Sequence, residues 1–199
     1  VANFIAESRL DLPGVEIVVE SRREYPPGAL LAQVMGYTAP INKIQLDTLR
    51  AAGYLPDDLL GKAGVEATYE LDLRGTYGVQ RVEKDASGRK LQVLQTVREP
   101  IAGNSLDLTI DVQEQRYAEQ ALQWGMAEAG LKRGVVIAMN PQTGEILAMV
   151  SLPTYDDNLF AHGISTAEYQ ALLDNPDKPL TNRAIAENFP PGSTYKLVT

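Results

Sequence analysis

This sequence predicts an α+β fold in two parts, and three features carry that expectation: a valine- and leucine-rich hairpin pattern over residues 79–97, a Pro/Gly break in "REPIAGNS" at 98–105, and a strand-helix-hairpin pattern over 106–152. The break divides the chain into residues 1–102 and 103–199.

In the first part, "VEIVVE" at 15–20 follows Pro13-Gly14 and partly alternates apolar and acidic side chains, which reads as a strand after a turn. "PPGALLAQVMGY" places Leu30, Leu31, Val34 and Met35 at helical spacing, with Gly36 as the stop. "INKIQLDTLRAAGY" predicts a second short helix, and "GVEATYELDLRGTYG" a third that Gly75 closes. The hairpin turns at Asp85-Ala86-Ser87-Gly88.

In the second part, "LDLTI" at 106–110 predicts a strand, and Asp111 with Glu114 forms a helix-start pattern that satisfies first-turn amides. The helix from about Val112 to Leu131 is expected to bury Ala118, Leu122, Met126 and Ala129, with Trp124 off that stripe. "GVVIAMN" and "EILAMVSL" flank Pro141-Gln142-Thr143-Gly144 and predict a second hairpin with interior strands, packed on that helix. Ser165 and Glu168 start a short helix in the polar stretch that follows.

Composition narrows the function. The chain has 199 residues, 44% of them hydrophobic, enough for a real core, and its net charge of −8 argues against a phosphate-backbone binder, so nucleic acid is set aside. It contains no cysteine, which excludes disulfides, thiolate metal sites and cysteine nucleophiles. No stretch reaches the roughly 18 to 20 apolar residues of a membrane span, and the first residues lack both a signal-peptide layout and an initiator methionine. The expectation is a piece of a longer protein.

Chemistry is concentrated at "NFPPGSTYKLVT". If Ser193 begins a helix, Lys196 lies almost one turn later on the same face, within reach of the hydroxyl proton, while the helix dipole favours an oxyanion. Spacing alone decides nothing, because Ser87-Gly-Arg-Lys90 matches the same pattern in a hairpin turn. Ser-x-x-Lys, Ser-x-Asn and Lys-Thr-Gly together are the signature of serine β-lactamases and penicillin-binding proteins. Only the first is present; Lys62-Ala63-Gly64 lacks the hydroxyl of the third. His162 reads as a surface or capping residue, Asp156 and Asp157 as turn formers rather than metal ligands, and Glu66, Glu70 and Asp72 as a solvated helix face. Tyr25 and Tyr37 read as core or interdomain packing, and no cofactor or metal is expected.

The segments "LDLTIDVQEQRYAEQAL", "GVVIAMNPQTGEILAMVSLPTYDDNLF" and "PLTNRAIAENFPPGSTYKLVT" resemble, in order and spacing, the start of a penicillin-binding transpeptidase domain of serine β-lactamase-like fold. Upstream, "LPGVEIVVESRREYPPGALLAQVMGYT" and "LLGKAGVEATYELDLRGTYGVQRVEKDASGRKL" resemble the pedestal, or dimerisation, domain of class B high-molecular-weight penicillin-binding proteins, of the elongation type. The resemblance covers nearly everything from Leu12 onward. It implies a bacterial D,D-transpeptidase, anchored in the cytoplasmic membrane by an N-terminal helix absent here, with its bulk on the extracytoplasmic side. Ser193 would attack the D-Ala-D-Ala bond of a peptidoglycan stem peptide with Lys196 as base, and β-lactams would acylate the same serine. Implied partners are a SEDS-family glycosyltransferase and other elongation-complex proteins.

Two further readings stand beside it. As it stands the chain is a non-catalytic pedestal or interaction module, capable of self-association through an open strand edge and inactive for want of the remaining motifs. A β-lactamase or β-lactam sensor shares the serine and lysine, but would not be expected to carry the large upstream domain.

Overall fold

The computed structural model describes residues 22–86 and 90–197. The strand expected at 15–20 and Ser87 of the second Ser-x-x-Lys match lie outside the described residues. Contacts divide the chain into two compact units: Leu71–Ser105 belongs to one, and Arg23–Glu70 together with Leu106–Thr199 to the other.

The larger unit opens with helix α1 (Ala32–Met35), which Gly36 ends at φ 75°. A Cβ on Gly36 would fall 1.9 Å from the Ala63 carbonyl oxygen, so the close approach of these two segments requires glycine. Strand β1 (Thr38–Pro40) pairs antiparallel with β2 (Leu59–Gly61), and helix α2 (Lys43–Leu49) lies between them in sequence. A reciprocal Asn42/Gln45 capping box starts α2. Ile41, Leu46, Tyr54 and Leu60 close a small core there, with Leu49 against it. The third expected helix forms as two turns, α3 (Gly64–Thr68) and α4 (Glu70–Leu73), broken at Tyr69.

The acidic face expected to be solvated is partly interior. Glu66 is only 4% exposed, takes Arg23 on both oxygens (Nε–Oε1 2.9 Å, Nη2–Oε2 3.1 Å) and accepts the Tyr25 hydroxyl at 3.2 Å. Glu70 accepts from the Tyr54 hydroxyl at 3.0 Å and the Gly61 amide at 2.8 Å. Burial with charge-assisted partners is how a carboxylate is tolerated inside a fold.

The smaller unit is the expected hairpin. Strand β3 (Val79–Lys84) pairs antiparallel with β4 (Lys90–Arg98) through three register irregularities, and a Thr76–Ile101 bridge extends the ladder. Leu91, Val93, Leu94 and Val97 are exposed on it.

The larger unit resumes at Leu106. Residues 106–110 do not form the expected strand; the segment runs beside residues 146–147 with single contacts, Asp111 N to Leu147 O at 2.9 Å and Thr109 Oγ1 to Ile146 O at 2.7 Å. Asp111 then caps helix α5 (Val112–Ala129), accepting from the amides of Gln113 and Glu114. Strands β5 (Gly134–Met139) and β6 (Ile146–Leu152) pair antiparallel and pack on α5: a Cβ on Gly134 would sit 2.8 Å from Leu122 Cδ1 and 2.9 Å from Met126 Sδ. Ala118, Leu122 and Met126 are half-buried as expected, whereas Ala129 is exposed and the most buried position of the helix is polar, Gln115 at 1%. Strand β6 is interior through Ala148, Val150 and Leu152; β5 is not, with Ile137 and Met139 about half exposed.

Short helices α6 (Asn158–Ala161), α7 (Thr166–Asp174) and α8 (Arg183–Ala186) follow, with the Ser165/Glu168 capping box in place at α7. Their core joins the two ends of the unit. Ala32, Tyr155 and Phe160 cluster with Tyr37, Ile164, Leu172 and Leu180, and Tyr37 stacks on Phe160 at 3.8 Å between ring centroids.

Candidate active site

Ser193 and Lys196 lie on a short 3-10 run, Gly192–Leu197, and both side chains are exposed. The expected α-helical start is absent. Pro190 and Pro191 bias the residues before them toward extended backbone, and Gly192 turns the chain at φ 57°. The tighter winding, three residues per turn, superposes positions i and i+3, so Ser193 and Lys196 occupy the same face. Phe189 and Tyr195 flank them, both more than half exposed.

The ordered part of the site is the segment leading into that run. Arg183 is 1% exposed, and its guanidinium donates to the carbonyls of Asp177, Lys178 (3.3 Å) and Thr181 (3.4 Å). Its Nε lies 3.3 Å from Glu187 Oε1, an ion pair without hydrogen-bond alignment. The Arg183 amide donates to Ser151 Oγ at 3.0 Å, and that hydroxyl donates on to Thr181 O at 3.4 Å, which ties α8 to the end of β6. Asn182 caps α8 by accepting from the Ala184 amide and donates to Gln33 O at 2.9 Å; Gln33 answers through Nε2 to Pro179 O. Lys178 turns the loop at φ 44°, a conformation few side chains adopt.

Gln115 supports the hairpin. Its Nε2 donates to Leu30 O (3.0 Å) and Met149 O (2.9 Å), and its Oε1 accepts from Met149 N (2.8 Å), so one buried amide completes the β6 ladder as a neighbouring strand would. Asp157 lies in the expected turn, just before α6, but is fully buried there, and neither carboxylate oxygen has a hydrogen-bond partner. Burial pushes its carboxyl up to about 7; the charges of Asp156 and Glu66 add to this, against a pull from nearby backbone amides. Asp156 supports the same turn, with Oδ1 accepting from the Asn158 amide at 2.9 Å. His162 is exposed at the C-terminal cap of α6.

Sequence reasoning singled out Ser193 and Lys196, read Asp157 as a turn former without its burial, and missed Arg183, Asn182 and Gln115. The only local signal among these is Asn182 as a helix cap before Arg183.

Two family models match the chain. Residues 2–108 match the penicillin-binding protein dimerisation domain family, and residues 134–199 the penicillin-binding protein transpeptidase domain family. The peptidoglycan D,D-transpeptidase MrdA of Acinetobacter baumannii is 43% identical over 98% of this chain, which spans 28% of that relative. The structure of the complex between penicillin-binding protein (PBP2) and MreC from Helicobacter pylori aligns over 98% of this chain and 35% of that one, with TM-score 0.77 and 30% identity. A chain from a peptidoglycan synthase complex, solved for the structural coordination of polymerization and crosslinking, aligns over 92% of this chain and 33% of its own, with TM-score 0.74 and 34% identity.

Proposed function

This chain belongs to the penicillin-binding protein family, with a dimerisation domain and the start of a transpeptidase domain, and from that premise we propose that the protein containing it cross-links peptidoglycan stem peptides through an acyl-enzyme on Ser193. The observation that carries the reading is the 43% identity to a D,D-transpeptidase over 98% of the chain, a span with Ser193 and Lys196 on one face of one turn.

In this reading Ser193 Oγ attacks the carbonyl carbon of the D-Ala-D-Ala bond while Lys196 Nζ takes its proton as the general base. The proton passes to the departing D-Ala amine as the C–N bond breaks, leaving an ester. An amine of a second stem peptide then attacks the ester, forms the cross-link and frees the serine. A β-lactam follows the first half, its ring C–N bond opening to leave the acyl group on Ser193.

The partners proposed are an MreC-type protein, as in the Helicobacter pylori complex, and a SEDS-family glycosyltransferase of the elongation machinery. The proposed location is the extracytoplasmic face of the bacterial cytoplasmic membrane, reached through an N-terminal anchor. Among the described residues no helix is long and apolar enough to cross a membrane. A division of roles at residues 102/103 is part of the same proposal. The exposed Leu91, Leu94 and Val97 favour a second role for the hairpin unit, that of a docking module without catalysis.

The test is a cross-linking assay with the full-length gene product and a pentapeptide-bearing glycan. D-Ala release and cross-linked product are expected with the natural protein and absent with Ser193→Ala; equal activity in both would refute the assignment.

A further inference from the structure

We propose that Arg183 is a positioning residue for the acylation of Ser193: its buried guanidinium holds the loop before α8 and the carboxylate after it, so that the chain leaves the hairpin toward Ser193 in one direction. The inference rests on the transpeptidase reading.

A fully buried arginine is costly unless its donors are satisfied. Here they are satisfied mainly by backbone carbonyls of Asp177, Lys178 and Thr181, and the carboxylate paired with it among the described residues, Glu187, has its side chain 35% exposed. A cation anchored on main-chain oxygens fixes the path of the chain rather than neutralising a charge. The planar guanidinium reaches both sides of α8 at once, which lysine's single ammonium cannot reproduce.

Upstream, Ser151 and Gln33 bind the segment through Arg183 N, Asn182 and Pro179. Downstream, the network reaches Glu187, from which Asn188, Phe189, Pro190, Pro191 and Gly192 lead to Ser193. The two prolines narrow the torsions open to the connection because their φ is fixed, so part of an error in the heading at Glu187 is passed on to the nucleophile. Displacing a nucleophile by about 1 Å can lower a rate by roughly a hundredfold without altering substrate affinity.

The experiment uses the full-length gene product with Arg183→Lys, and Glu187→Gln as the milder variant should the first fail to fold. Acylation by a fluorescent penicillin is followed over a range of concentrations. This separates the saturating rate constant from the half-saturating concentration, and end-point stoichiometry measures the competent fraction. Arg183→Lys is expected to lower the saturating rate by at least about tenfold, with half-saturation within about threefold and stoichiometry unchanged; Glu187→Gln should act in the same direction more weakly. A saturating rate within about twofold of the natural protein in the variant that folds, whether or not stoichiometry falls, would overturn the inference and leave a purely structural arginine. Absence of Ser193 labelling in the natural protein would overturn the transpeptidase reading itself, and the inference with it.

Discussion

Asn158 holds Tyr25 by both ends of its backbone, Oδ1 accepting from Tyr25 N at 2.9 Å and Nδ2 donating to Tyr25 O at 2.9 Å. The pair joins positions 133 residues apart and makes the side-chain amide stand in for a strand neighbour. The same segment is met again by Thr154 Oγ1 on Ala29 O, by Gln115 on Leu30 O and by the Tyr155 hydroxyl on Ala32 O.

Asn158→Asp keeps the acceptor but replaces the donor by a second oxygen facing the Tyr25 carbonyl. The expected cost in the isolated 199-residue chain is about 2 to 3 kcal/mol, against about 1 to 2 for Asn158→Ala, measured by urea unfolding. An aspartate variant as stable as the natural chain would refute the pairing.

Gln115 should prove more demanding, because its three bonds are made at 1% exposure. Gln115→Leu has nearly the right volume but strands Met149 N and O and Leu30 O, with an expected loss of about 2 to 4 kcal/mol. Amide hydrogen exchange at Met149 should accelerate in that variant.

What was legible in the sequence was local. The Ser165/Glu168 box, the Asp111 cap, both hairpins and the helix over Val112–Ala129 rest on neighbours a few residues apart, and the structure has them. Gln115, Asn158 and Arg183 were not legible, because each looks like an ordinary polar surface residue until the chain brings carbonyls from elsewhere around it. The strand expected at 106–110 has the right alternation, but the segment meets β6 through a side chain, Thr109, and the single amide of Asp111 rather than through a ladder. At the candidate site, the resemblance selected Ser193 over the equally spaced Ser87, while the 3-10 winding could not be read from Ser-x-x-Lys spacing.

Asp157 should make stability fall with rising pH. Its folded carboxyl titrates at about 7, above the unfolded value near 4, so the folded state holds a proton that the unfolded state releases. The stabilisation is complete below about pH 4 and is lost as pH rises toward 7. Relative to Asp157→Asn, which cannot titrate, the natural chain should lose on the order of 1 to 4 kcal/mol between those limits. Parallel pH profiles of the two unfolding free energies would contradict the burial of that carboxyl.

The isolated 199-residue chain should not acylate. Ser193 and Lys196 are both exposed, so water surrounds the pair, and neither Ser-x-Asn nor Lys-Thr-Gly is present in the sequence. Stoichiometric labelling of this chain by a fluorescent penicillin would show that the serine and lysine suffice.

The central claim is that Ser193 is the nucleophile of a penicillin-binding transpeptidase, and peptide mapping by mass spectrometry tests it most directly. The full-length gene product is treated with benzylpenicillin and digested. The account predicts a single penicilloyl adduct on the peptide carrying Ser193, absent from Ser193→Ala. An adduct on another residue, or none on a folded full-length protein, would contradict it.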